Sequence, residues 1–489
     1  MEFGYAAPEV FLLVALCTVL VLDIFLGEES PLITYLAAQL SLWTTVLLVY
    51  SNSFSRTYFA AIERMYMVDQ LGGVIKIAIL LLASMTMIYA RKYLRDQNAW
   101  RGEFFVLIMV AVLGMMVMAS GHNLLILYLG LELLALSLYA LVALQRDSAQ
   151  AAEAAMKYFV LGAVASGLLL YGMSLIYGLT GSLELGVIRD YLDAAQLQEG
   201  GQVLPNQDIV WLFALSFIVA GLAFKLGMVP FHMWLPDVYQ GAPTVVALFL
   251  GSAPKLAILV LVIRLLQEGL GVLQPSWSQL LLVLGLLSVV AGNLIALAQT
   301  SLKRMFAYSA IAHMGFMVLA LASEVEGNNH FSTAMFYVLV YALAAIGGFA
   351  ILVLLGRRGY DPDALDSLSG LNARHPWYAL MMLLILFSMA GVPPTAGFYA
   401  KLAVLKVVFN AGHVWPVVIM VVMSVVGAFY YLRAIKLMYF DEPQDQAVLR
   451  VDADFGVLFS LNGLVIIVLG LFPGLLMGVC MDAIKASGL

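Results

Sequence analysis

Residues 224–243 read FKLGMVPFHMWLPDVYQGAP. Lys225 stands inside an apolar run, Gly227 and Pro230 follow at once, and His232, Pro236 and Pro243 come soon after. In water such a stretch is an ordinary loop. Inside an apolar helix it sets a cation beside a break in the hydrogen-bond ladder, because proline has no N–H to donate. Two more lysines keep similar company: Lys255 in FLGSAPKLAILV (249–260) and Lys401 in GFYAKLAVL (397–405), just after GVPP (391–394). What these lysines do depends on the solvent around them.

That solvent is a bilayer. The 489-residue chain is 63% hydrophobic and 11% charged, whereas soluble domains carry about 25% charge. Runs such as IKIAILLLASMTMIYA (75–90) and GVLFSLNGLVIIVLGLFPGLLMG (456–478) are long enough to cross the hydrocarbon as helices. A soluble helical protein of this size needs charged outer faces, and the composition lacks them. The first apolar stretch, 8–27, has no basic segment before it and no small-residue cleavage site after it, so it reads as a retained span. Cys17 and Cys480 form no metal or redox motif. The net charge of −6 comes without a basic patch for nucleic acid. With no Walker motif, no GxGxxG before a helix and no cysteine cluster, the sequence offers no ATP, NAD, flavin or iron–sulfur site. It reads as a mover of something small and charged, driven by an ion gradient or by a partner protein.

The expected fold is all-α and polytopic, with about fourteen spans near 8–26, 32–50, 71–90, 104–120, 123–144, 155–178, 209–229, 241–267, 278–299, 304–323, 331–355, 376–408, 414–440 and 454–477. The 376–408 segment is too long for one ordinary span, and GVPPTAG marks a broken helix; 209–229 runs into Pro230 and is a second candidate for a break. Alternate loops carry most of the basic residues: Arg91, Lys92, Arg95, Arg101; Arg146; Lys303, Arg304; Arg357, Arg358, Arg374; Arg433, Lys436, Arg450. The opposite loops hold Arg56, Arg64, Arg189 and Lys485, and the longest of them is acidic (Glu184, Asp190, Asp193, Glu199, Asp208). The positive-inside rule then puts both termini outside the cytoplasm.

The chain also repeats itself. ASGHNLLILYLGLELL (119–134), AMKYFVLGAVASG (155–167) and LGMVPFHMWLPD (226–237) recur in order as VAGNLIALAQTSLKRM (290–305), AMFYVLVYALAAIG (334–347) and MAGVPPTAGFYAKL (389–402). Spans 4–8 thus match spans 9–13. Five is odd, so the second copy enters the membrane inverted, and each copy carries a broken helix, the design of many transporters. The expected units are an N-terminal three-helix segment (1–100), a first repeat (101–270), a second repeat (271–440) and a C-terminal helix (441–489).

Ionisable groups inside spans are costly and usually face protein or water-filled cavities. Lys76, Arg264 and Lys406 lie near span ends and are expected to snorkel to the headgroups. Glu132, short and in mid-span, cannot, and Lys225, Lys255 and Lys401 each have a proline or glycine nearby that exposes backbone to water. Lysine suits a partly dry path, because burial lowers its solution pKa of about 10.4 by as much as ~3–5 units and a nearby carboxylate favours the charged form. Histidine titrates near neutrality. The candidate relay is Glu132, Lys157, Lys225, His232, Lys255, His313, Lys303 and Lys401.

These residues carry a resemblance. LYLGLELLALSLYAL (127–141), AAMKYFVLGA (154–163), FKLGMVPFHMWLPDVYQGAPT (224–244), SLKRMFAYSAIAHMGF (301–316) and AGVPPTAGFYAKL (390–402) resemble the subunit N family of bacterial proton-pumping NADH–quinone oxidoreductase (respiratory complex I), counterparts of mitochondrial subunit 2, along nearly the whole chain. Three of these stretches are shared in kind with the other antiporter-like subunits. Lys401 looks like the subunit N form, since one sister subunit has glutamate there. The largest sister carries a long lateral C-terminal helix, and this chain ends soon after the last span.

The resemblance implies that Glu132 pairs with Lys225, that Lys255 is the central lysine, that Lys401 lies near the exit, and that His232, Lys303 and His313 join the polar axis. It implies proton translocation within a translocase whose NADH, FMN, iron–sulfur clusters and quinone are held by the other membrane-arm and peripheral-arm subunits, with lipids around the chain and no cofactor in it. A subunit of a multisubunit cation/proton antiporter, or of a hydrogenase-type membrane complex, is the competing expectation.

Overall fold

The structure is a computed structural model that describes residues 2–26, 31–54, 59–61, 65–198, 208–325, 329–356, 362–443 and 451–488. Arg56, Arg64, Glu199, Arg357, Arg358 and Arg450, used above to orient the spans, lie outside the described residues.

The chain opens with α1 (Ala7–Leu26), α2 (Pro31–Ser53) and α3 (Gln70–Asp96), with a short hairpin of β1 (Phe59–Ala61) and β2 (Tyr66–Val68) between the last two. Then come α4 (Gly102–Ser120), α5 (Leu124–Val142), α6 (Ala149–Thr180), α7 (Leu185–Gln198), α8 (Asp208–Leu226), α9 (Trp234–Gly241), α10 (Thr244–Leu250) and α11 (Ala253–Val262), the last continuing as a π-helical turn, Ile263–Gly269. The remainder is α12 (Gln274–Leu297), α13 (Leu302–Ala322), α14 (Asn329–Leu355), α15 (Leu371–Arg374), α16 (Pro376–Ala390), α17 (Ala396–Asn410), α18 (Val414–Phe440), α19 (Ala453–Leu471) and α20 (Gly474–Ala486).

Among the described residues, 13 helices are long and apolar enough to cross a membrane, and α16 is a shorter apolar helix. The chain is an all-α, multi-pass membrane protein. The segment expected to be one broken helix at 376–408 is two helices, α16 and α17, and the 209–229 span ends at Leu226. Three features go beyond the sequence expectation: the β1–β2 hairpin, α7, a short helix between spans, and α20, which makes two helices of the expected single one after residue 441.

Span starts follow capping chemistry. Asp69, Asn123, Ser148 and Ser301 each accept a backbone N–H of the first turn they precede, at 2.9, 2.9, 3.2 and 3.1 Å. The cap at Asn123 divides α4 from α5 across ASGHN. α10, α11, α13 and α14 are buried nearly all round, and α14 packs against α3, α10, α11, α13, α16, α17, α19 and α20. α1, α2, α6, α12, α18 and α19 turn large side chains outward, among them Phe25, Leu40, Val164, Val425 and Val457. Apolar residues on every face suit a core on one side and lipid or protein on the other.

Two of the three expected snorkelling residues do something else. Lys406 is exposed. Lys76 is buried, and its Nζ lies 2.5 Å from Glu9 Oε1, with Tyr66 donating to Glu9 Oε2 at 2.7 Å. Arg264 is fully buried and bonds both carboxylate oxygens of Asp69 at 2.9 Å, Glu268 at 2.6 Å and the Ala119 carbonyl at 3.0 Å. The reason is packing. α3 and the end of α11 lie in the interior, so a long side chain there reaches a carboxylate from α1 or the loop before α3 sooner than a headgroup.

Candidate functional site

The interior is interrupted at two places, and the same local chemistry makes both. α8 ends at Leu226, where Gly227 takes φ 77°, a left-handed conformation that glycine adopts at little cost. Met228 N–H donates to the Ala223 carbonyl at 2.8 Å and Gly227 N–H to Phe224 at 2.9 Å, a helix-ending pattern of the Schellman kind. In a continuing helix the Leu226 carbonyl would accept from residue 230, but that residue is Pro230. Lys255, at the start of α11, takes the freed carbonyl instead, with Nζ at 3.1 Å. α16 ends at Ala390 in the same way. Gly391 has φ 84°, Val392 N–H donates to Phe387 at 2.9 Å, and the residue that would bond the Ala390 carbonyl is Pro394. Lys401 Nζ donates to that carbonyl at 2.9 Å.

Around the first break, Lys225 donates from Nζ to Ser166 Oγ of α6 at 3.0 Å. The Trp234 indole N–H bonds the Phe224 carbonyl at 2.9 Å, and its ring lies 5.8 Å from Lys255 Nζ. A cavity of about 20 Å³ lies between Lys225 and Lys255, lined also by Tyr158, Trp234, Pro254 and, from α5, Leu131, Leu134, Ala135 and Leu138; it has room for about one water molecule. Glu132 is half-buried on α5, within Coulombic reach of Lys225, Tyr128, Tyr139 and Tyr158. Its Oε1 is buried without a hydrogen bond, and no ion pair joins it to Lys225.

Around the second break, His313 is held through both ring nitrogens. Nδ1 lies 2.7 Å from Tyr337 Oη and Nε2 lies 3.2 Å from Tyr431 Oη, which in turn is 2.5 Å from Ser309 Oγ. A cavity of about 10 Å³ runs from His313, Tyr337 and Tyr341 to Ser388, Gly397 and Ala400 at the break. Lys401 lies within Coulombic reach of His313, with its Nζ 5.6 Å from the Phe316 ring.

The structure therefore gathers Glu132, Lys225 and Lys255 at one break and His313 and Lys401 at the other. His232 sits in the first break, half-buried, with its Nδ1 unbonded and its ring 6.4 Å from that of Tyr308. Lys303, buried in the first turn of α13, lies 3.4 Å from the Ala242 carbonyl. Lys157 stands apart from both groups. It is exposed on α6, 2.9 Å from Glu153 and 2.8 Å from Asp237, and Asp237 also pairs with Arg304 at 2.8 Å. Sequence reasoning missed Ser166, Ser309, Tyr337 and Tyr431. Nothing local marks these among the 23 tyrosines and many serines of the chain. The freed carbonyls were detectable, as a proline four residues after the last helical one.

Lys303 aside, the buried lysines and arginines fall into two kinds. Lys76 and Arg264 have carboxylate partners within 3 Å. Lys225, Lys255 and Lys401, exposed by only 7, 2 and 9%, have neutral partners alone: a hydroxyl and two carbonyls. Among the described residues no cluster of three or more His, Cys, Asp or Glu could hold a metal.

A family model described as NADH:quinone oxidoreductase/Mrp antiporter, transmembrane, matches residues 121–427. The chain is 50% identical over 485 residues to NADH-quinone oxidoreductase subunit N of Thioalkalivibrio sulfidiphilus, covering 99% of this chain and 98% of that one. It is 51% identical over 489 residues to the protein of the same name from Thiobacillus denitrificans, covering 100% and 98%. A chain of respiratory complex I from Thermus thermophilus, solved with bound aureothin, superposes with a TM-score of 0.81 at 33% identity, over 96% of this chain and 98% of that one. Identity at this level over the full length of both chains, with a matching fold, shows that the chain belongs to the subunit N family of the NADH-quinone oxidoreductases, as a membrane-arm subunit of the complex I and antiporter superfamily.

Proposed function

We propose that the chain carries protons across the membrane along its buried axis, driven by electron transfer from NADH to quinone in partner subunits. One observation carries this reading: Lys225, Lys255 and Lys401 are buried cations without a carboxylate in contact. An unpaired charge in a low-dielectric interior is expensive, and none of these lysines has the carboxylate partner that would fix its charge. The small cavities beside them, and the hydroxyls and imidazole between them, supply sites for water and for proton hand-off.

In this account Glu132 sets the charge of Lys225. With the carboxylate near, the ammonium is favoured; with it withdrawn, the proton moves through the adjoining cavity towards Lys255. His313, bonded through both nitrogens to tyrosine hydroxyls, passes a proton across its ring, and Lys401 delivers it. His232, in the first break, and Lys303, beside the Ala242 carbonyl, extend the relay from the first group, and Lys157, with Asp237 and Arg304, is its surface end. The two breaks, ended by the same turn, support reading 101–270 and 271–440 as inverted five-helix repeats, flanked by 1–100 and 441–489. The excess of arginine and lysine in alternate loops supports periplasmic termini. NADH, FMN, iron–sulfur clusters and quinone belong to the partner subunits.

The test is Lys225→Ala in the intact enzyme, reconstituted in sealed vesicles. The variant is expected to assemble and to lose pumping by about a hundredfold or more, the scale of one proton-transfer group. Normal pumping by K225A sinks the assignment.

A further inference from the structure

We infer that Pro230 and Pro394 are positioning residues of the relay, acting by withholding a backbone N–H so that a carbonyl is left for a lysine. The inference rests on the relay reading and goes one step beyond it. Each proline stands four residues after the last carbonyl of a helix, Leu226 and Ala390. In a regular helix the N–H at that distance takes the carbonyl. Proline supplies none, and buried carbonyls are rarely left unpaired. Lys255 and Lys401 fill the two places at 3.1 and 2.9 Å. The two lysines reach their carbonyls from different directions: Lys401 from the second half of its own broken helix, Lys255 from the helix beyond the break. One acceptor chemistry has thus been produced twice by unlike connections, which argues that the freed carbonyl matters more than the shape of the loop.

A carbonyl is a suitable partner for a lysine that must change its charge. It accepts a hydrogen bond from the ammonium and from the neutral amine alike, so the side chain stays in place through both states. A carboxylate would hold the ammonium too strongly to let the proton go. With the proline N–H absent, the backbone does not compete for the acceptor during the cycle.

At the first break the Val229 N–H already leaves the ladder for Ser288 Oγ, at 2.9 Å; proline-to-alanine variants act by letting the helix run on through Gly227 or Gly391, so that the N–H of residue 230 or 394 competes for the carbonyl. In the otherwise native enzyme, Pro394→Ala and Pro230→Ala are each expected to cut pumping in sealed vesicles by about tenfold, the value of a hydrogen bond to a charged group. The second readout is the midpoint of thermal disassembly, measured for each proline variant in the native chain and together with the matching Lys401→Met or Lys255→Met. In K401M and K255M the carbonyl has lost its partner, and the new N–H replaces it. P394A and P230A are therefore expected to lower the midpoint in the native chain and to raise it in the methionine background. A shift of the same sign and size in both backgrounds assigns the prolines to folding alone and overturns the inference, as does native pumping by both proline variants. Pro394→Gly and Pro230→Gly serve where alanine does not assemble; failure of alanine and glycine at both positions also overturns it. Native pumping by K401M and K255M would sink the relay reading, yet a reversed midpoint shift would still establish the competition for the carbonyl.

Discussion

Removing a lysine from water costs several kcal/mol, and this interior offers two remedies. Lys76 is given Glu9, and Arg264 is given Asp69 and Glu268. Breaking such a pair costs about 3–5 kcal/mol, so these residues are fixed in charge and suited to joining α1, α3 and α11. Lys225, Lys255 and Lys401 are given neutral oxygens, and the first two also line a small cavity, which leaves their charge open to change. Glu132 belongs with them: close enough to act on Lys225 through the field, not close enough to form a contact pair. Its charge is then what counts. Glu132→Gln, which keeps the shape and removes the charge, is expected to slow turnover and pumping together, and Glu132→Asp to retain part of both. Turnover and pumping of the two variants at matched expression decide this, and equal rates in E132Q and the native enzyme would remove Glu132 from the site.

At the scale of the element, the important units are the helix ends rather than the helices. Gly227 and Gly391 hold left-handed backbone that costs other residues roughly 1–2 kcal/mol, and a Cβ would come within 2.7 Å of Leu235 Cδ1 at the first and 2.8 Å of Lys401 Cδ at the second. Gly391→Ala is therefore expected to lower both the thermal midpoint and the pumping rate. Gly474→Ala, with ordinary backbone and open space around it, changes neither; equal effects from the two would mean that the turn is not the sensitive feature. The sequence announces these ends plainly, because Gly and Pro punctuation inside apolar runs has few other readings. It announces long-range pairing poorly. Glu9 lies in the first helix and Lys76 in the third, and no local pattern says that they meet, so snorkelling was the natural expectation for Lys76. The same holds for Tyr337 and Tyr431, which reach His313 from α14 and α18. The helix α7 was hidden by its length, since 14 residues between two spans carry no spanning signal.

At the scale of the whole molecule, span direction ties the relay to a gradient. α6 runs from the loop holding Arg146 to the loop before α7, so these loops lie at opposite ends of the bundle. In the proposed orientation Arg146 lies in the cytoplasm. With Cys17 and Cys480 replaced by alanine, Arg146→Cys is expected to react with an impermeant thiol reagent in inverted vesicles only, and Asp190→Cys in spheroplasts only. Both residues are exposed, and labelling in the reverse pattern would place the termini on the cytoplasmic side.

The central claim is that lysines with neutral partners exchange protons and lysines with carboxylate partners do not. Arginine separates the two, since it stays charged at any working pH. The measurement is the proton-to-electron ratio, in sealed vesicles, of Lys401→Arg beside Lys76→Arg, with assembly of both checked on native gels. The account predicts a native ratio in K76R, where a permanent cation still meets Glu9, and a lowered ratio in K401R, where the station can no longer empty. A native ratio and rate in assembled K401R would contradict it, because Lys401 would then have no need to release its proton.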